Sequence, residues 1–217
     1  MAISDLFTEA DLEAIRRATS AAERSTAGEI VPYVVERIDD HAEARWRAAT
    51  IGALVAALTA GAVHALVGYW SGHGVAWITL PVLMGAGVGF MIGGIGPLVR
   101  RLMPADALDT MALRRAEAAF LEEEVWRTRD RTGILVFLAL FEHRAVILAD
   151  QGIHRAVPPG LWQELVAELT DGVAAGKAAA ALERTVRRCG EILAEHRVER
   201  RPDDLDELDD RPRVREH

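Results

Sequence analysis

The chain has 217 residues and a formal charge of −8, length enough for one ordinary domain plus a membrane segment. Its acids crowd the flanks and the last twenty residues, a distribution that excludes a nucleic-acid binder. The single cysteine, Cys189, excludes an internal disulfide and a multi-cysteine metal site.

In chain order, Thr8 is placed to cap a first helix, with Asp11 as the partner of a capping box. Leu12, Ile15, Ala18 and Ala22 then recur at helical spacing and predict one apolar face as far as Glu23. Thr26-Ala27-Gly28 breaks that helix. The β-branched and aromatic run Glu29-Ile30-Val31-Pro32-Tyr33-Val34-Val35-Glu36 predicts a strand, at an edge or bulged at Pro32, which has no N–H to donate. Residues 1–47 carry acids and a helical pattern instead of a basic start and an apolar run, so no secretory signal is expected.

From Ala48 to Val99 there is no Asp, Glu, Lys or Arg. Two apolar limbs, 48–70 and 75–99, flank Ser71-Gly72-His73-Gly74. Each exceeds the ~20 residues a helix needs to cross a hydrocarbon core of ~30 Å, which predicts a transmembrane helical hairpin. Trp46, Tyr69, Trp70 and Trp77 lie near the limb ends, where amphipathic rings favour the interface. Arg37, Arg45 and Arg47 precede the first limb and Arg100 and Arg101 follow the second, while the connecting loop has no arginine. The excess of positive charge places both termini in the cytoplasm, as in a multi-pass protein of a bacterial inner membrane. Gly85, Gly89 and Gly93 repeat every four residues, and Gly52, Ala56 and Ala60 form a matching small-residue row in the first limb. Such small-residue rows let helix backbones touch, either between the two limbs or in self-association with another copy or a membrane-protein partner. His64 is the one ionisable side chain well inside a limb, expected as a neutral hydrogen-bonding group near the interface.

After Pro104, Asp106 to about Thr128 reads as an amphipathic helix whose Glu122-Glu123-Glu124 run is a solvated face. The continuous apolar run Ile134–Leu140 predicts a central strand covered on both faces. Phe141-Glu142-His143-Arg144 turns into a second strand, Ala145–Asp150. Pro158-Pro159 opens a helix with Leu161, Trp162, Leu165, Val166 and Leu169 inward. A last helix, Lys177 to about Arg197, buries Leu182, Val186, Cys189, Ile192 and Leu193; on that apolar stripe Cys189 reads as a small core residue. Residues 199–217, acidic and nearly without apolar side chains, are expected to be disordered. The organisation predicted is a split domain, 1–47 and 100–198, interrupted by the hairpin at 48–99. Its fold class is α/β, a small mixed sheet sandwiched by helices.

Three stretches resemble the TPM domain family, named after thylakoid-lumen, photosystem II and MOLO proteins. They are Thr26-Ala27-Gly28-Glu29-Ile30 before the first strand, Thr128-x-x-Arg131-Thr132-Gly133-Ile134-Leu135 entering the second, and Asp150-x-Gly152-Ile153 leaving the third. The resemblance spans roughly residues 8–40 and 104–197. Ala27 stands where serine is usual and Thr132 where asparagine is usual. The resemblance implies an α/β sandwich. It also implies one of two roles described among relatives: weak acid phosphatase activity with a metal-binding acidic cluster, or assembly and repair of membrane complexes.

Ligands of open α/β sheets gather where strands end. The polar residues there are Asp39, Asp40, Arg131 and Asp150, with Glu29, Glu142, His143 and His154 in adjacent turns. Asp39, Asp40 and Asp150 are candidate ligands of Ca²⁺ or Mg²⁺, which favour hard oxygen donors. Arg131 and Asp150 are the candidate catalytic pair: Arg131 has the fork to grip a phosphate or Asp150 itself. The alternative is that Arg131 and Asp150 form a structural pair or cap their loops. No phosphate-cradling, nucleophile-elbow or HExxH motif is present. The expected function is a membrane-tethered regulatory or scaffolding domain on the cytoplasmic face that helps maintain membrane complexes. A divalent-metal-dependent phosphatase is the alternative.

Overall fold

The computed structural model describes residues 6–67, 75–196, 198 and 208–215. The chain divides into two compact units, one formed by Met1–Ile38 and Leu108–His217, the other by Asp39–Ala107. Among the described residues there are eight helices and four strands.

The first unit is built on a four-stranded sheet in the order β3-β2-β1-β4, with β1 Glu29–Val35, β2 Gly133–Ala139, β3 Arg144–Ala149 and β4 Arg213–Arg215. β1 pairs in parallel with β2, from Glu29↔Gly133 to Val35↔Ala139. β3 returns antiparallel to β2, from Leu138↔Ala145 to Ile134↔Ala149. A parallel pair needs a long crossover, and the chain between β1 and β2 supplies it. That crossover contains the second unit and helix α5 (Ala105–Glu122).

Side chains alternate across the sheet with the strand period of two. Ile30, Val34, Ile134, Val136 and Leu138 face helices α1 (Glu9–Glu23), α7 (Pro159–Ala174) and α8 (Ala178–Glu195). Val31, Tyr33, Val35, Leu135 and Phe137 face Ala112, Ala116 and Ala119 of α5. The predicted mixed sheet with helices on both faces is therefore the observed fold. All seven residues of β2 are buried, as expected for a central strand. β1 is not an edge strand, because β2 and β4 flank it. β4 covers it only from Tyr33 onward, so the missing donor of Pro32 falls just outside the paired stretch.

The capping box at Thr8 forms as predicted: Thr8 N donates to Asp11 Oδ2 at 2.9 Å and Asp11 N to Thr8 Oγ1 at 3.2 Å. α5 ends at Glu122, earlier than the sequence suggests. Glu124 adopts a left-handed conformation with φ of 52°, and Val125 returns to the core. Cys189 is fully buried in α8, and burial pushes its thiol up to about 12. The thiolate is the reactive form. Native protein at pH 8 is therefore expected to give no reaction with a thiol reagent, and one thiol per chain after denaturation; labelling of the folded form would contradict this packing.

Two expectations for the first unit are corrected. Residues 208–215 are not a disordered tail: β4 pairs in parallel with β1 at Tyr33↔Arg213, Val34↔Val214 and Val35↔Arg215. Residues 199–207, 216 and 217 lie outside the described residues. The Glu122–Glu124 run is not uniformly solvated either. The Glu123 side chain is only 16% exposed and receives both Arg213 and Arg215. Composition misses this, because strand addition uses main-chain donors and acceptors and one carboxylate offsets two cations.

The second unit is a helical hairpin. α2 (Ala42–Val67) and α3 (Ala76–Ile92) run antiparallel, joined through residues 68–74, which lie outside the described residues. Their seam is the small-residue row. A Cβ on Gly85 would strike the Gly52 carbonyl and come within 2.7 Å of Ala56 Cβ, and one on Gly93 would lie 2.8 Å from Ala48 Cβ. Glycine is required there by the close approach of the two backbones. Outside the seam the large apolar side chains are exposed, including Leu58, Leu66, Met84 and Met91 at 70% or more.

The second limb differs from the uninterrupted helix expected over 75–99. α3 ends at Ile92, and α4 (Gly96–Leu102) leaves it at 107°. Gly93 and Gly94 resist helix for entropic reasons, and Pro97 suits the first turn of a new helix. Among the described residues, one helix, over Ala42–Leu66, is long and apolar enough to cross a membrane; α3 reaches that length only together with α4. Arg47 Nη1 donates to the carbonyl of Leu102 at 3.0 Å, so the arginines in the first turns of α2 and those of α4 sit at one end of the hairpin.

Candidate functional site

The motif residues of the first unit meet at one end of the sheet, where β1 and β2 begin and β3 ends. Thr128 organises the approach to β2. Its carbonyl accepts from Arg131 N at 3.2 Å and its hydroxyl from Thr132 N at 2.9 Å. This tight turn holds Arg131 in the left-handed region, with φ of 56°. Asp150 leaves β3 as the N-cap of the short helix α6 (Gln151–His154), its Oδ1 accepting from Gln151 N at 2.6 Å. The two loops then clasp. Gly152 N donates to the Arg131 carbonyl at 2.8 Å and Asp150 N to the Gly133 carbonyl at 2.9 Å. A Cβ on Gly152 would collide with the carbonyls of Asp130 and Arg131, so this position admits only glycine at the present spacing.

Across the clasp lies a fork-to-carboxylate pair. Arg131 Nε stands 2.7 Å from Asp150 Oδ2, and its Nη2 donates to Oδ1 at 3.1 Å. The Asp150 side chain is 6% exposed and that of Arg131 52%. Oδ1 accepts hydrogen bonds from Arg131 and Gln151, and Oδ2 is held by ion-pair contact with the guanidinium. Asp150 also lines a pocket of about 450 Å³ with Glu117, Phe120, Leu121, Leu148 and Ala149, whose walls are mostly apolar.

The remaining candidates are dispersed. Glu29, at the start of β1, accepts Leu208 N at 3.3 Å through Oε2. Glu142 is buried at the opposite end of the sheet, its Oε1 accepting from Ile38 N at 3.1 Å. His143 occupies the β2–β3 turn with φ of 52°, and His154 is exposed at the end of α6. Asp39 and Asp40 are exposed and belong to the second unit, where Asp39 Oδ1 accepts the Asp40 N–H at 2.6 Å. Among the described residues no group of three or more His, Cys, Asp or Glu side chains is placed to hold a metal ion. Within the first unit, the carboxylate of Asp150 is taken up by Arg131 and Gln151.

Sequence reasoning overlooked a second cluster at the same end of the sheet. Glu23 is buried at the end of α1 and its Oε1 accepts from Ile30 N at 2.8 Å. Burial, then a hydrogen bond with Asp210 and the negative charge of Glu29, pushes its carboxyl up to about 10. Helical spacing places Glu23 on the inward face of α1, yet its partners come from β1 and from the C-terminal segment, which no local pattern links to it.

No protein-family model matches the sequence, and a comparison with curated proteins gives no match. Among solved structures, the chain is similar to the NMR structure of BA42 protein from the psychrophilic bacteria Bizionia argentinensis sp. nov.. The TM-score is 0.58 at 16% identity, over 98% of each chain. At that identity the likeness shows a shared fold.

Proposed function

We propose that this chain is a membrane-tethered TPM-like domain that scaffolds or regulates a membrane complex from the cytoplasmic face of a bacterial inner membrane. The observation that carries the reading is the hairpin: its small residues are used on its own seam, while Leu58, Leu66, Met84 and Met91 point outward with 70% or more of their surface exposed. A contiguous apolar surface of that kind is unfavourable in water and matched to lipid. The shared arginine end formed by Arg45, Arg47, Arg100 and Arg101 supports a cytoplasmic placement of both hairpin ends. The 107° turn into α4 suits a short helix lying along the bilayer surface, with its arginines toward the headgroups.

A tethering role is favoured over metal-dependent phosphatase chemistry because Arg131 and Asp150 engage each other and no three-carboxylate group forms among the described residues. Two measurements test the reading. The protein is expected to resist carbonate extraction from bacterial membranes. A membrane-impermeant maleimide is expected to label Ser71→Cys in intact spheroplasts, and Ala10→Cys only after lysis; the buried Cys189 contributes no background. Release by carbonate, or labelling of Ala10→Cys in intact spheroplasts, overturns the placement. The full chain in detergent with Mg²⁺ or Ca²⁺ is also expected to hydrolyse a generic phosphomonoester no faster than its Asp150→Asn variant. Turnover that vanishes in that variant overturns the scaffolding reading.

A further inference from the structure

β4 is an unusual closing strand. It has three residues, and it is the strand that pairs with the outer side of β1, along Tyr33–Val35. The pairing extends one residue beyond β1, with Glu36 N donating to the Arg215 carbonyl at 3.0 Å. Its two arginines converge on one acid: Arg213 Nε lies 3.0 Å from Glu123 Oε2, and Arg215 Nη2 lies 3.3 Å from Glu123 Oε1. The Arg213 and Glu123 side chains are 15% and 16% exposed, so this pair is largely removed from water, unlike the ion pairs along the helix surfaces. Leu208 N is anchored by Glu29. The receptor is thus specific in two respects: main-chain pairing along Tyr33–Val35 demands an extended strand, and Glu123 demands basic residues at positions i and i+2, which share one face of that strand.

We propose that the outer edge of β1 together with Glu123 is a docking site for an extended Arg-x-Arg segment of a partner protein, and that residues 213–215 occupy it in cis as a competing strap. A three-residue strand forms few ladder bonds and belongs to the weakly held parts of a fold. Its hold comes from tethering. Nine residues separate Val198 from Leu208, and a short tether gives a local concentration on the order of millimolar. A partner segment therefore binds well only when the strap is displaced. The inference rests on the first unit alone and is independent of the membrane reading.

The test uses the full chain in detergent and a labelled peptide of sequence LDDRPRVREH, read by fluorescence anisotropy. The double variant Arg213→Ala/Arg215→Ala is expected to bind the peptide at least tenfold more tightly than the unaltered chain. Adding Glu123→Gln to it is expected to remove at least tenfold of that affinity, and a peptide with both corresponding arginines replaced by alanine is expected not to bind. If the double variant unfolds, as read by exposure of Cys189, Arg215→Pro takes its place, because residue 215 faces β1 with its main chain and proline there deletes a ladder donor, and the same gain is expected. Equal binding to strapped and opened chains, or binding indifferent to Glu123→Gln, overturns the proposal. A dimer of the unaltered chain that dissociates in the double variant overturns it too, since the occupant would then be a second copy's strand.

Discussion

Arg131→Ala is expected to destabilise the first unit more than Asp150→Asn does, although the two substitutions break the same pair. The asymmetry follows from burial. Asp150 is 6% exposed and Arg131 52%. Removing the guanidinium leaves a buried carboxylate with the Gln151 N–H as its remaining hydrogen-bond donor from the clasp. Removing one partner of a fully buried pair costs ~3–5 kcal/mol; with one partner half in water, about 2–3 kcal/mol is expected. Asparagine at 150 keeps an oxygen for the N-cap and leaves an arginine free to hydrate, so its cost stays near ~1 kcal/mol. Thermal unfolding of the two variants checks this ordering. The reverse ordering would mean that Asp150 is not held for structure, and would reopen a chemical role for it.

The second large effect is a pH dependence centred on Glu23. Its carboxyl is pushed from an ordinary 4.5 up to about 10, first by burial, then by the hydrogen bond with Asp210 and the charge of Glu29. A native pKa above the unfolded one means that the folded state binds the extra proton. The stabilisation is fully present below pH 4.5 and is lost as pH rises toward 10, at up to about 1.4 kcal/mol per pH unit. Between pH 6 and pH 8 the unaltered chain is therefore expected to lose roughly 5–10 °C in Tm. Glu23→Gln keeps the neutral shape, and its Tm is expected to be nearly flat over the same interval. Parallel profiles for the two proteins would show that Glu23 titrates normally. The same proton links Glu23 to Asp210, so Glu23→Gln is also expected to hold the segment leading into β4 more evenly as pH rises.

The chain read in order discloses most of the first unit because its signals are local. The Thr8–Asp11 box, the spacing of Ile15, Ala18 and Ala22, and the unbroken apolar run of β2 each specify one element within a few residues. Arg131 and Asp150 were legible as a pair, since both stand in short motifs beside strand ends. The role of those motifs was not. Thr128 folds the turn, Gly152 admits the carbonyls of Asp130 and Arg131, and Asp150 caps α6, and these contacts join stretches about twenty residues apart.

What local sequence determined, then, is the set of elements, the apolar hairpin and the alternation that gives the sheet two covered faces. Periodicity and charge are properties of neighbouring residues and need no knowledge of the fold. Tertiary structure alone decided that Glu23 finds its partners in β1 and the C-terminal segment, and that Arg213 and Arg215 close the edge of β1 on Glu123. Each depends on groups brought together from distant parts of the chain. An acidic, arginine-containing C-terminal stretch has too little apolar surface to predict its own order, and it finds order only where a strand edge and a shielded carboxylate already wait for it.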